Sequence, residues 1–344
     1  MLFFILIDIY FAYKYNMKII FMTVLILGSF LGAGFVSGRE IASYFSVFGK
    51  YSWIGVIIAI LLIFGLLYLF FVLSRKTNNF KDFVDMYFGK AGVIINWLFG
   101  LCLFILTSSM FAGSLVIAKT INFNEILFAI ITAGACYFVV AGNLKFLEKI
   151  NLILVPIIIV VMIAVCGINS FPKVYSGDII LSIISSSAYV FMNIVTLGLL
   201  ILETGGCYTK KQALITCAIS SIIIGILLFV CNNAIIKFDI TQVPMPMLTL
   251  ATKKGFGVWV VTAITIWIGL FTTIISCVFV LANYLNCYIK NYKLTIIIIL
   301  ILTLVSSLIG FEFLVGYIYW LIGFVGIFVV ISVLIKEKKS QNKF

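Results

Sequence analysis

Long apolar runs separated by short polar connectors repeat along almost the entire chain. A hydrocarbon core about 30 Å thick takes about 20 apolar residues of helix to cross. By that measure the pattern predicts ten spans, at residues 19–48 (interrupted), 53–73, 93–118, 126–141, 151–167, 179–202, 213–235, 258–287, 294–309 and 313–335. No soluble domain, low-complexity tract or long linker breaks the series. The predicted fold class is therefore an all-α integral membrane protein, one ten-span domain over residues 17–335 with a basic tail at 336–344. The apolar part of the first sixteen residues, MLFFILIDIYFAYKYN, is too short to span, and no small-residue cleavage site follows it. Residues 1–16 read as an extension upstream of a start at Met17.

Two connectors carry patterns of their own. NNFKDFVDMYFGK alternates aromatic and charged residues at helical spacing, which predicts a helix along the inner interface. FDITQVPMPMLTLATKKG, between spans seven and eight, sets Pro244 and Pro246 before an apolar turn. It reads as an ordered loop or a folded lid.

Charge placement orients the spans. With the N-terminus inside, the inner segments carry Lys14, Lys18, Arg75, Lys76, Lys81, Lys90, Lys145, Lys149, Lys210, Lys211, Lys290, Lys293, Lys336, Lys338, Lys339 and Lys343. The outer segments carry Lys50, Lys119, Lys173, Lys237, Lys253 and Lys254. That is sixteen against six with Arg39 left out, and every inner segment has at least two. The positive-inside rule then places both termini in the cytoplasm.

Composition narrows the function classes. Of 344 residues, 64% are hydrophobic and 10% charged, and the mean hydropathy is +1.30. Soluble domains run near about 45–50% apolar and about 25% charged. The net charge of +12 sits in connectors, not on a basic stripe interleaved with aromatics, so nucleic acid is not an expected partner. The eight cysteines fall in or beside apolar runs with no C-x-x-C, and read as small buried apolar residues, not as a disulfide framework or a transition-metal site. There is no histidine and no intramembrane acidic pair, so an enzyme is not expected. Nor does any G-x-x-x-x-G-K-[ST] motif point to ATP-driven transport by this chain alone.

The first span is the chemically suggestive one. Within LGSFLGAGFVSGREIASYFSVFG it carries Gly28, Gly32, Gly34 and Gly38, then Arg39 and Glu40. An unbroken helix over residues 19–48 would be about 45 Å long, well beyond the hydrocarbon core. Gly28–Gly32 and Gly34–Gly38 are each G-x-x-x-G, the spacing that lets helices pack closely. Ser37 to Glu40 matches a capping box, which starts a new helix at Gly38. Packing glycines with an interfacial helix, and a helix broken around a site, both remain open on this pattern.

GAGFVSGREI resembles the signature of the YkvI family of bacterial membrane proteins, related to the amino acid–polyamine–cation transporter superfamily; Arg39 stands where that signature has glutamine. The resemblance implies a LeuT-type 5+5 inverted repeat with helices 1 and 6 discontinuous around a substrate, in a bacterial cell membrane. Gly32, Ala33, Gly34 and Phe35 would then line the substrate site, the amides of Ala33 and Gly34 facing a carboxylate. Tyr189 and Asn193 of span six would complete it. The carbonyls of Gly28 and Leu31 and the hydroxyls of Thr272 and Thr273 would hold a sodium ion, as oxygen-only ligation of a hard cation. Glu40 and Ser37 would act in the capping box, or Glu40 in coupling.

The expected function is secondary transport of a small organic solute, with an amino acid as the leading candidate, coupled to sodium or protons. No cofactor beyond a bound sodium ion is implied. A membrane sensor or binding protein that keeps the transporter fold is the alternative.

Overall fold

The structure is a computed structural model that describes residues 2–77, 79–142, 144–167 and 177–341. Lys173 and Lys343 lie outside the described residues, as do the side chains of Lys14, Ala33, Lys145, Lys149 and Cys287. Every regular element among the described residues is helical. The first span is three pieces, α1 (Leu2–Phe30), α2 (Ala33–Val36) and α3 (Arg39–Tyr44), and the backbone of residues 2–16 continues α1 without a break. There follow α4 (Ser52–Ser74), α5 (Phe80–Phe88), α6 (Gly92–Thr120), α7 (Glu125–Gly142) and α8 (Leu144–Cys166). The second half holds α9 (Ile179–Thr204), α10 (Lys210–Lys237), α11 (Pro246–Thr252), α12 (Phe256–Ile289), α13 (Tyr292–Ser307), α14 (Phe311–Phe313) and α15 (Tyr319–Gln341).

Seven helices among the described residues are long and apolar enough to cross a membrane, those built on α4, α6, α7, α9, α10, α12 and α15. Shorter apolar helices, Asn16–Phe30, Leu152–Cys166 and Tyr292–Ser307, occupy the places expected for spans one, five and nine. The protein is a multi-pass membrane protein. The first connector is helical as its pattern predicts, and the second, expected as an ordered loop or a folded lid, also carries a helix. α5 is capped by Asn79, whose side chain accepts from the Asp82 amide at 2.8 Å, and it buries Phe83, Val84 and Tyr87. α11 forms the apolar turn after Pro244.

One correction concerns span six. The predicted break is absent, and α9 runs continuously from Ile179 to Thr204. Most of its polar side chains bond back to their own turns, Ser187 to the Ile183 carbonyl at 2.7 Å, Asn193 to that of Tyr189 at 3.0 Å and Thr196 to that of Asn193 at 2.9 Å, while Ser182 and Ser185 donate to the carbonyls of Tyr51 and Tyr44 at 3.0 and 2.9 Å. Polar groups satisfied this way give the helix no reason to unwind.

The two ends of the bundle differ in charge. At one end Lys76 pairs with Glu337 at 2.5 Å, Tyr87 also hydrogen-bonds Glu337, and the Tyr208 hydroxyl donates to the Lys18 carbonyl at 3.3 Å. This end gathers the chain segments rich in lysine. The opposite end carries Arg39, Lys254 and α11. Between them α15 packs closely on α9. A Cβ at Gly323 would stand 2.9 Å from the Ala188 carbonyl oxygen, and one at Gly326 would overlap the carbonyl of Phe191. Glycine is required there by proximity of two backbones.

Candidate functional site

The break in the first span is real and short. Leu31 still closes α1, its amide donating to the Leu27 carbonyl at 2.7 Å; the Val36 amide then returns to the Gly32 carbonyl at 2.9 Å. Gly38 adopts φ 81°, left-handed backbone that glycine takes without strain, and the chain turns there into α3. Interrupted backbone at membrane depth is tolerated only where protein or a cavity surrounds it. Here it is surrounded by protein: Leu31, Phe35, Val36 and Ser37 are all buried.

The predicted capping box does not form. Gly38, not Ser37, is the N-cap of α3, and no side chain caps it. The left-handed turn at Gly38 points Ser37 back into the loop, where its hydroxyl donates to the Gly34 carbonyl at 3.2 Å and accepts from the Arg39 amide at 3.4 Å. Glu40 is thereby released from capping. It turns inward, only 4% exposed, with its carboxylate laid against Gly34, where any Cβ would overlap it.

Glu40 faces hydroxyls and rings. Tyr189 and Tyr44 both lie within electrostatic reach of the carboxylate, yet neither hydroxyl makes a hydrogen bond of proper geometry, and both rings are fully buried. Tyr319 is within reach too, its hydroxyl bonded to Ser109 of α6. Tyr189 sits at the centre of an aromatic shell, with centroids 5.8 Å from Phe30, 5.4 Å from Tyr44 and 5.2 Å from Phe45, and Trp320 stacks on Tyr44 at 5.2 Å. Among the described residues no basic side chain forms an ion pair with Glu40. Tyr44, Tyr319 and Trp320 were missed by sequence reading; Tyr44 alone had a signal, lying one helical turn after Glu40 on the same face.

The other expected residues divide. Tyr189 joins the site, and Phe35 packs edge-on against Phe30 at 5.7 Å as part of its wall. Asn193, at 9% exposure, spends its amide on its own helix. On α12 the hydroxyls of Thr272 and Thr273 both donate to the Gly269 carbonyl, at 3.1 and 2.9 Å. A Cβ at Gly32 would stand 3.4 Å from Thr273 Oγ1, and one at Gly269 would stand 3.6 Å from the Leu31 carbonyl oxygen. Leu31 and Gly32 are thus neighbours of Gly269 and Thr273 on α12.

Beyond the break, at the lysine-poor end, lies a cavity of about 620 Å³ lined by Arg39, Gln242, Pro244, Phe311, Glu312 and Tyr317 among others. Arg39 Nη1 donates to the carbonyls of Thr241 and Val243 at 3.3 and 3.2 Å, so the guanidinium anchors the loop before α11.

The fold is that of known membrane transporters. The chain superposes on a Na+-coupled sialic acid symporter, in its substrate-bound outward-open state, with a TM-score of 0.65 at 13% identity, covering 89% of this chain and 76% of that one. It superposes on Mhp1 in an inward-facing conformation with a TM-score of 0.56 at 12% identity, covering 89% and 73%. These are LeuT-type folds, and that is the class to which the architecture belongs. In sequence the chain is weakly homologous to YkvI-type bacterial membrane proteins: it is 30% identical to YkvI of Bacillus subtilis (strain 168) over 139 residues, 39% of this chain and 40% of that one. It is 22% identical to YyaD of the same strain over 338 residues, 93% of this chain and 97% of that one. No model of a known protein family matches the chain.

Proposed function

We propose that this protein is a ten-span secondary transporter that carries a small organic solute, an amino acid first among the candidates, in symport with sodium or protons. The observation that carries the reading is Glu40: a carboxylate buried beside a glycine break, facing two tyrosine hydroxyls, with no basic partner among the described residues. A buried unpaired charge costs several kcal/mol, on the order of what removing one partner of a buried pair costs. A positive group belongs there, and the ammonium of an amino acid or a coupling proton supplies it. In this reading Gly32, Ala33 and Gly34 offer backbone groups to the solute, and Phe35 and Tyr189 wall it.

Sodium has a separate place. The Leu31 carbonyl and the oxygens of Thr272 and Thr273 are an oxygen-only set across α1 and α12, suited to a hard cation, with the Gly28 carbonyl a turn earlier. The sodium coupling of the sialic acid symporter supports it. The lysine-rich end is cytoplasmic by the positive-inside rule, so the cavity at Arg39 opens outside. Cysteine tags at Lys76 and Lys211 should therefore label only from the cytoplasm and one at Lys253 only from outside; labelling of Lys76 and Lys253 from one side contradicts this topology.

Uptake of labelled amino acids into proteoliposomes, under a sodium gradient or a proton gradient, tests the function. Accumulation driven by one gradient is expected. Solute binding with no uptake under either gradient would replace transport by sensing. If sodium drives it, Thr273→Val keeps the volume but removes a ligand, so the half-saturating sodium concentration rises. Solute must then tighten sodium binding by the factor that sodium tightens solute binding, and both factors shrink together in the variant. Uptake that ignores sodium and follows the proton gradient assigns coupling to Glu40.

A further inference from the structure

Three sulfurs meet at the lysine-poor end, outside the site around Glu40. Cys166 closes α8, Cys231 lies near the end of α10, and Met247 is in the first turn of α11. Cys166 Sγ stands 3.4 Å from Cys231 Sγ and 3.3 Å from Met247 Sδ, and all three side chains are buried. Three separate helices therefore bring a soft donor each to one point. Packing alone asks for no such convergence; any small apolar side chains would serve.

The geometry points to a binding site for one soft monovalent metal ion, Cu(I) or Ag(I), held by Cys166, Cys231 and Met247. The donor set decides the ion. No cluster of three His, Cys, Asp or Glu exists among the described residues, so the third donor is a thioether. Hard ions want oxygen and zinc favours thiolate or imidazole, whereas paired thiols with a thioether suit Cu(I) and its analogue Ag(I). A disulfide would use two of the three sulfurs and leave Met247 without a role. Metal–sulfur bonds of about 2.3 Å place three trigonal sulfurs about 4 Å apart, so the cluster needs to open by about 0.6–0.7 Å. The ion replaces one thiol proton, which leaves to solvent: a cation plus two thiols and a thioether becomes a neutral thiolate–thiol–thioether complex plus a proton. No electron is transferred, and a neutral complex fits apolar surroundings.

The site is wired to the helix break. The Met247 amide donates to the Ser37 carbonyl at 3.0 Å, and the Met247 side chain packs 3.2 Å from where a Cβ on Gly38 would stand. A bound ion would pin α11 to α8 and α10, one residue from the left-handed turn that opens α3.

The test is anaerobic titration of the reduced, purified full chain with Ag(I), and with Cu(I) buffered by bicinchoninate. One ion per chain that competes with the buffer is expected, together with a rise in unfolding temperature on Ag(I) addition. Both should be lost in Cys166→Ser and in Cys231→Ala, and remain in Cys207→Ser, which alters an exposed cysteine. Met247→Leu keeps the volume and should bind about tenfold more weakly or worse, the loss of about 1.4 kcal/mol or more. Met247→Leu folds on packing grounds, so the thioether's part is readable even if a cysteine variant does not fold. Unchanged capture in Met247→Leu overturns the proposal. So does isolation of a Cys166–Cys231 disulfide with no metal uptake after reduction.

Discussion

Gly34→Ala lowers the stability of the purified protein by about 1–3 kcal/mol, the usual cost of overpacking a filled interior, and abolishes solute binding. The added Cβ would overlap the Glu40 carboxylate and crowd its Cδ and Cγ as well, so the whole side chain has to shift. Glu40 must leave its place, and with it goes the carboxyl group on which the proposed solute site rests. The decisive measurement is a double-mutant cycle with Glu40→Ala. If the glycine exists to make room for that carboxylate, Gly34→Ala is nearly silent for stability in the Glu40→Ala background, a coupling of about 0.5–3 kcal/mol. An additive pair would mean that Gly34 serves helix packing, as its G-x-x-x-G spacing first allowed.

Gly326→Ala is expected to be the most damaging single methyl in the molecule. Most close glycine contacts here are with side chains that can rotate, but Gly326 faces a backbone carbonyl, that of Phe191, and Gly323 one turn away faces that of Ala188. Backbone in the middle of a continuous helix cannot step aside, so α15 must separate from α9 along its length. About 3 kcal/mol or more of destabilisation follows, read as a lower unfolding temperature and a poor yield of monodisperse protein. Gly65→Ala is the control. Nothing lies within 4 Å of its Cβ position, and replacing glycine in a helix interior by alanine gains about 0.5–1 kcal/mol. A Gly326→Ala protein as stable as wild type would mean that the α9–α15 contact is looser than described.

What the sequence revealed depended on distance along the chain. The apolar runs and the glycine run are contiguous features and were readable, but the pattern left packing and a break both open, and only the resemblance implied the break that the structure has at Leu31–Gly32. The amphipathic α5 and the apolar turn α11 were readable for the same reason. The capping box misled because its four residues satisfy the pattern while the left-handed Gly38 sends Ser37 and Glu40 elsewhere. Span six misled through the symmetry that the resemblance implied, whereas Ser186, Ser187, Asn193 and Thr196 could equally bond to their own helix, and they do. Trp320, Tyr319 and Ser109 reach the site from α15 and α6, and no local pattern announces a partner that far away. The sulfur cluster was hidden in the same manner, since Cys166 and Cys231 are 65 residues apart and Met247 looks like any core methionine.

Helix length also sets terms with the lipid. α12 has 34 residues and is about 51 Å long, while α7 with 18 and α13 with 16 are about 27 and 24 Å. The two short helices are neighbours, and their outer faces carry Ile126, Ile130, Phe138, Ile301, Leu302 and Val305, all exposed to the surroundings of the bundle. A hydrocarbon layer about 30 Å thick must dip to meet them. The membrane is therefore expected to thin along this flank, at a cost of a fraction of a kcal/mol for each ångström of mismatch, on the order of what sorts proteins between bilayers. Short-chain phospholipids should gather along α7 and α13, and vesicles of long-chain lipids should strain that flank first.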